Sequence, residues 1–134
     1  MTEVLFVSGS NMGLSRIAEG LVRHNAPHIH AMSAGIDVDD DDRGIDEDAR
    51  MALSEVGARC DGDPSQLTPS LADKADLVVV LGDIDVSEFV PPEVEVIRWE
   101  YEDPKDNGID GIQRYRILRD DLLGKIRRLE KSLS

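Results

Sequence analysis

The stretch Val4-Leu-Phe-Val-Ser-Gly-Ser-Asn-Met-Gly-Leu-Ser-Arg-Ile-Ala-Glu-Gly20 decides how this chain begins to fold. The apolar run at residues 3–7 is typical of a buried strand. Small and turn-forming residues at 8–15 predict a loop. Residues 16–23 then carry apolar side chains at helical spacing, and Ser15 is the expected N-cap of that helix. The chain therefore opens as strand, loop and helix.

The rest of the sequence continues the alternation of strands and helices. The run Asp76-Leu-Val-Val-Val-Leu81 contains five consecutive apolar residues, which is expected of a strand covered on both faces of a sheet. Further elements are predicted as strands at 28–32 and near 94–97, a helix capped by Asp46 and running to Val56, a loop with a short helix at 65–75, and a long helix over 112–133. Such alternation indicates βαβ units and a parallel sheet, whose ligands bind beyond the carboxyl ends of the strands.

Composition narrows the classes of partner. The 134 residues include 28 acidic and 15 basic side chains, which gives a formal charge of −13. Because nucleic acids and anionic membranes need a cationic face, we expect neither as a partner. The single cysteine, Cys60, forms no internal disulfide, and we see no signal peptide or membrane-spanning run. We therefore expect a cytoplasmic protein.

The 8–15 loop is the candidate site. It lies at a helix N-terminus, where backbone N–H groups and the helix dipole favour an anion. No Gly-Lys-Ser/Thr follows, and the loop does not read Gly-x-Gly-x-x-Gly, so neither common nucleotide motif is present. From spacing alone, a bound anion and an empty loop remain equally open.

The same stretch resembles the opening of the low-molecular-weight protein tyrosine phosphatases and the related thiol-dependent arsenate reductases. That family reads strand, Cys-x5-Arg-Ser/Thr, and then a helix. Other segments resemble the family in the same order: Ser33-Ala-Gly35, residues 44–57, Asp76–Leu81, Trp99 with Asp103-Pro104, and Arg119-Asp120. The resemblance implies one domain over residues 1–134, with a four-stranded parallel sheet, helices on both faces and a three-layer sandwich. It also implies an anion-binding loop made of Gly9, Ser10, Asn11, Met12, Gly13, Leu14 and Ser15.

Two departures change the expected chemistry. Ser8 stands where the family has its nucleophilic Cys, and a serine hydroxyl needs a base that a thiolate does not. Leu14 stands where the family has the Arg that binds two phosphoryl oxygens, and losing it costs a factor of about 10² or more. The positions of the further reductase cysteines correspond to Gly82 and the 87–89 stretch, so the thiol cascade is also missing.

Several positions keep the family's residue type. The resemblance implies that Asn11 braces the loop, that Ser15 hydrogen-bonds the residue at position 8, and that Asp103 occupies the general-acid position. We expect Arg16 to face solvent, with a compensating charge at the loop as the alternative.

We therefore predict a catalytically inactive relative that binds an oxyanion, a phosphorylated partner or another protein. The alternative is a weakly active or diverged phosphatase or arsenate reductase that uses Ser8 and Asp103. A plain interaction domain with an empty loop is the third possibility. We expect no cofactor and no metal.

Overall fold

A four-stranded parallel sheet forms the centre of the molecule. The structure is a computed structural model and describes residues 2–133. The strands are β1 (Thr2–Ser8), β2 (Ile29–Gly35), β3 (Leu77–Leu81) and β4 (Glu95–Trp99), in the order β2-β1-β3-β4. The helices are α1 (Leu14–Asn25), α2 (Glu47–Ser54), α3 (Pro69–Asp73) and α4 (Gly111–Leu133), with a 3-10 turn at Pro104–Asn107. The predicted fold class is confirmed; residues 1 and 134 of the predicted domain lie outside the described range.

Side chains on the two faces of the sheet belong to two separate hydrophobic clusters. Val4 and Phe6 of β1 pack with α1, α2 and α4, whereas Leu5 and Val7 pack with α3 and the segment after β3. All five residues of β3 are buried, as expected for a strand covered on both faces. The sheet is therefore the middle layer of three.

The register of the sheet positions the candidate loop. β1 pairs with β2 so that Ser8 lies opposite Gly35. β1 and β3 are the two inner strands; Val7 and Leu81 near their ends are buried, and Ser8 is half-buried. The loop that follows Ser8 therefore leaves the middle of the sheet at its carboxyl edge, beside the end of β2.

Most predicted elements lie where the sequence places them, and the ends of the helices follow local chemistry. Asp46 caps α2 by accepting a hydrogen bond from the backbone N–H of Asp48. Gly57, with φ of +77°, lies just after α2 in the left-handed conformation that glycine adopts easily. The long helix α4 buries Leu118, Leu122 and further apolar residues of its predicted stripe.

Two local predictions need correction. Ser15 is not the N-cap of α1: the helix begins at Leu14, Gly13 occupies the cap position, and no side chain caps it. The Ser15 hydroxyl is instead engaged with the Ser8 hydroxyl. The second strand also extends to Gly35, so Ser33-Ala-Gly35 belongs to β2 rather than following it.

Within residues 2–133, no helix combines the length and the apolar character needed to span a bilayer.

Candidate functional site

The 8–15 loop packs against the end of β2. A Cβ atom added at Gly35 would lie 2.7 Å from the carbonyl oxygen of Gly9 and 2.8 Å from the backbone nitrogen of Asn11. Real Cβ atoms do not approach backbone this closely, so only glycine permits the contact. Asn11 itself has φ of +56°, a left-handed conformation that Asn tolerates better than most residues. The backbone path of the loop is therefore fixed by Gly35 and Asn11.

We expect the substitution Gly35→Ala to destabilise the chain, because the added methyl group must push the loop backbone away. The expected loss is about 1–3 kcal/mol of the free energy of unfolding, as for other overpacked sites. Urea denaturation measures it. Gly124→Ala is the matched control, because a Cβ at Gly124 meets nothing within 4 Å and alanine favours a helix by about 0.5–1 kcal/mol. Equal behaviour of the two variants would contradict the close packing.

Four carbonyl groups of the loop are bonded by the surrounding protein. These four accept hydrogen bonds from groups outside the loop or at its far end. The pairs are Ser8 with the N–H of Ile36 (3.1 Å), Gly9 with the N–H of Asp37 (2.9 Å), Met12 with the N–H of Asp46 (2.8 Å), and Asn11 with the Arg16 guanidinium (3.3 Å).

This arrangement leaves four amide groups of the loop free, whereas the N–H of Asn11 donates to Ser8 Oγ (3.3 Å). In a trans peptide the N–H of one residue points opposite to the carbonyl of the residue before it, and no cis peptide bond occurs in the described chain. The N–H groups of Gly9, Ser10, Met12 and Gly13 therefore point away from these partners. Within residues 2–133, none of the four has an acceptor. Gly9 and Ser10 are exposed, so an incoming ligand can reach these donors.

A network of neutral side chains lies under the loop. Ser8 Oγ and Ser15 Oγ are 2.6 Å apart, and Asn11 Nδ2 donates to Ser15 Oγ (2.8 Å) and to Ser33 Oγ (3.0 Å). Ser33 in turn donates to the carboxylate of Glu19 (2.6 Å). Because the Asn11 amide donates in both directions, no chain of hydroxyl groups carries a proton from Ser8 to Glu19. Within residues 2–133, the hydrogen-bond partners of Ser8 Oγ are therefore the Ser15 hydroxyl and the Asn11 backbone N–H.

Arg16 does not face solvent, so this prediction is wrong. Its side chain is 2% exposed and lies behind the loop. Its five donor contacts go to the carbonyl oxygens of Asn11, Gly44, Asp61 and Gly62 and to Cys60 Sγ. The guanidinium therefore ties the back of the loop to two distant segments. Leu14, at the family's Arg position, is partly buried and packs against the hydrophobic cluster around α1.

Asp103 is held as a carboxylate. Arg114 donates to both of its oxygens, at 2.7 and 2.9 Å. This bidentate pair lowers the pKa of Asp103 below its ordinary value of 3.8, and the backbone N–H of Lys105 acts in the same direction. A general acid must carry a proton at neutral pH. The pair with Arg114 therefore favours the ionised form of Asp103 in this conformation.

An NMR titration of the side-chain carboxyl carbons tests this ionisation state. We expect the midpoint for Asp103 to lie below 3.8 in the unchanged chain and to rise in Arg114→Met. A depressed pKa in the folded state means that the pair contributes stability at neutral pH, which is lost as pH falls through the folded pKa. Arg50→Met, which removes an exposed arginine that pairs with Glu47, is the control. A midpoint near neutral pH would restore Asp103 as a proton donor.

Tyr115 connects this ion pair to the loop. The Arg114 guanidinium lies 5.0 Å from the centroid of the Tyr115 ring, and a Cβ at Gly13 would lie 2.7 Å from the Tyr115 hydroxyl. The aromatic ring therefore borders the N-terminus of α1. Sequence reasoning missed both Arg114 and Tyr115, because both lie in the long C-terminal helix, far from the loop in the sequence.

Cys60 is a buried free cysteine that lies beside Arg16 and Glu19. Burial raises the pKa of its thiol to about 11, against a smaller opposing effect of the Arg16 hydrogen bond. The thiol therefore stays protonated at neutral pH and donates to Glu19. Within residues 2–133, no cluster of three or more His, Cys, Asp or Glu could hold a metal ion.

The sequence matches the family model of low molecular weight phosphotyrosine protein phosphatases over residues 3–134. Similar solved structures include a YwlE mutant from Bacillus subtilis, 25% identical, with 99% of each chain covered and a TM-score of 0.85. A thioredoxin-dependent arsenate reductase from Corynebacterium glutamicum is 30% identical, with 98% of this chain and 61% of that chain covered and a TM-score of 0.76.

A third structure bears on position 8. It is the YwlE arginine phosphatase in a cysteine-to-serine mutant with a phosphorylated active-site serine; it is 25% identical, covers 98% of this chain and 95% of that chain, and has a TM-score of 0.78. The match of the family model over nearly the whole length agrees with the strand–loop–helix motif and the sheet order described above. This chain therefore belongs to the low-molecular-weight phosphotyrosine protein phosphatase family.

Proposed function

We propose that this protein binds a tetrahedral oxyanion, foremost a phosphoryl group, in the 8–15 loop and does not turn it over. One observation supports the binding: the outward carbonyls of the loop leave the amides of Gly9, Ser10, Met12 and Gly13 without acceptors. Donors of this kind at a helix N-terminus suit an anion. Phosphate, arsenate and a phosphorylated partner share this chemistry.

Three features oppose catalysis. Ser8 has only neutral hydrogen-bond partners, Leu14 supplies no charge to a transition state, and Asp103 is ionised in its pair with Arg114. Each removes a different step: attack on phosphorus, stabilisation of the equatorial oxygens, and protonation of the leaving group. We therefore class the protein as a pseudoenzyme whose activity is at most a trace.

The test is an NMR titration of the loop amides with sodium phosphate, arsenate and tungstate. We expect saturable shifts confined to residues 9–15 at millimolar concentration or below. In parallel, a p-nitrophenyl phosphate assay should show no ordinary turnover. Flat amide signals in a folded spectrum would refute the binding, and ordinary turnover would refute the inactivity.

A second candidate, slow phosphoryl transfer to Ser8, is favoured by the phosphorylated serine in the YwlE mutant. In this step the bond from Ser8 Oγ to phosphorus forms and the bond to the leaving group breaks, while the hydroxyl proton passes to solvent. Intact mass spectrometry after incubation with phosphoarginine or p-nitrophenyl phosphate would detect the adduct. Ser8→Ala is the control. A phosphorylated Ser8 without release would make the protein a phosphoryl acceptor rather than a binder.

We further propose that residues 2–133 act as one domain in the cytoplasm. A single continuous sheet with a hydrophobic cluster on each face supports the first statement. The lone, buried Cys60 supports the second, since disulfide frameworks mark oxidising compartments.

A further inference from the structure

A cavity lined by apolar and acidic side chains lies away from the 8–15 loop. It has a volume of about 650 Å³ and lies between segment 100–109 and residues 117–125 of α4; we refer to it as the α4 groove. It shares no lining residue with the loop. Its volume is in the range of pockets that hold a ligand.

The floor of the α4 groove is apolar and open to solvent. Tyr101, Pro104 and Leu118 line it together with Ile109 and Ile117. Ile109 is 37% exposed and Ile117 is 44% exposed, and they are two of only four large hydrophobic residues exposed in the described part of the chain. Apolar side chains gathered in this way on a concave surface mark an interaction site.

The rim of the groove is acidic. Glu100 and Glu102 line it, and neither has an ion-pair or hydrogen-bond partner within residues 2–133. The one lining cation, Lys125, is already paired with Asp121. The rim thus offers two free carboxylates beside an apolar floor, and an occupant that complements it carries a positive charge next to a large apolar group.

A second cavity lies next to the α4 groove, at the edge of the sheet. It has a volume of about 340 Å³, shares Lys125 with the α4 groove, and is lined by Ile97, Trp99 and Arg128 among others. Arg128 has no acidic partner in the described chain. The second cavity is lined by two residues of β4, which is an edge strand, and the α4 groove begins at the residue that follows β4. An extended chain reaches both cavities, whereas a compact molecule fills only one.

We propose that the α4 groove and the second cavity bind an extended peptide segment of a partner protein. Its basic side chain pairs with Glu100 and Glu102, its large apolar side chains fill the groove, and its carboxylate pairs with Arg128. This recognition is separate from oxyanion binding in the 8–15 loop. The two sites let one molecule hold a phosphoryl group and a peptide at once.

The probe is the fluorescent peptide acetyl-Arg-Trp-Ser-Leu-Glu-amide, titrated against the full chain and followed by anisotropy and by NMR. We expect saturable binding below about 1 mM, which corresponds to about −4 kcal/mol, with shifts at Ile109 and Ile117. A peptide with Gln for Arg should bind about fivefold more weakly, as should one with Ser for both Trp and Leu. No saturable shift up to millimolar peptide would overturn the proposal.

Protein variants separate specific recognition from general attraction to an acidic protein. The double variant Glu100→Gln and Glu102→Gln should weaken binding about fivefold. The matched control Asp40→Asn and Asp41→Asn removes the same charge from the exposed acidic run and should leave binding unchanged. Equal weakening by both pairs would overturn the proposal.

Reversing the charges of the two rim glutamates should create binding to a different peptide. The variant Glu100→Lys and Glu102→Lys should lose the basic peptide and gain a peptide with Glu in place of Arg. In all of these variants the phosphate titration of residues 9–15 should be unchanged. Failure of the peptide experiment with intact phosphate binding would therefore refute this inference alone, and the reverse result would refute only the proposed function.

Discussion

Replacing Ser8 by Cys and Leu14 by Arg in one chain should produce a phosphatase. We expect the double variant Ser8→Cys, Leu14→Arg to hydrolyse p-nitrophenyl phosphate at least about 100-fold faster than the unchanged chain. A thiol near the N-terminus of α1 has a lowered pKa and attacks as a thiolate. The new guanidinium then binds two oxygens of the phosphoryl group as charge moves onto them.

The choice of substrate matters because Asp103 is ionised. In the first step the S–P bond forms and p-nitrophenolate leaves, which needs no proton. Water then cleaves the thiophosphate and restores the thiol. An alkyl phosphate has a poor leaving group and does need a general acid, so we expect it to stay slow in the double variant. Adding Arg114→Met, which frees Asp103 from its ion pair, should speed the alkyl ester more than the nitrophenyl ester.

The single variants are the controls. Ser8→Cys alone has the nucleophile without the charge, and Leu14→Arg alone has the charge without the nucleophile, so each should remain close to background. The double variant must also give a folded NMR spectrum. A folded double variant without activity would mean that the free loop amides do not form a phosphoryl site.

The parts of the fold that depend on local sequence were predictable. The burial of the five apolar residues of β3 and of the four consecutive apolar residues of β1 arises from residue type alone. Asp46 was predictable as a cap because its side chain bonds an amide two residues away. The hydrogen-bonded grouping of Ser8, Asn11 and Ser15 was also predictable, because the family resemblance assigns these three positions to one loop.

The predictions that were wrong or missing concern partners far apart in the chain. Arg16 bonds carbonyl oxygens at Gly44, Asp61 and Gly62, and every residue type has such an oxygen. No residue pattern therefore indicated its burial. The pair of Asp103 with Arg114 is similar, since it depends on how the turn at 104–107 directs α4. The free amides of the loop likewise become visible only from the peptide orientations.

Arg16 carries the second large predicted effect. We expect Arg16→Met to lower the free energy of unfolding by about 3–5 kcal/mol, because several buried carbonyl oxygens lose their donor at once. In a chain of this size that loss lowers Tm by roughly 10–20 °C. Methionine preserves much of the side-chain length, so the lost hydrogen bonds, rather than a cavity, account for the change.

The Arg16→Met variant also tests which contacts hold the 8–15 loop in its conformation. The Arg16 guanidinium binds the Asn11 carbonyl and thereby helps to point the next N–H into the loop. At a temperature where Arg16→Met is folded, we therefore expect phosphate-induced shifts at residues 9–13 to weaken about tenfold, as expected when a positioned donor is lost. Arg16→Lys retains the charge but has only three donors. Its phosphate-induced shifts should therefore be weaker than those of the unchanged chain and stronger than those of Arg16→Met.

Arg50→Met is the matched control, because Arg50 and its ion-pair partner Glu47 are both exposed and neither contacts the loop. An exposed pair of this kind contributes about 0–1 kcal/mol, so stability and phosphate binding should change little. If Arg16→Met bound phosphate as well as Arg50→Met does, the loop would keep its shape without the buried guanidinium. Its amides would then be directed by Gly35, Asn11 and the N–H groups of residues 36, 37 and 46 alone.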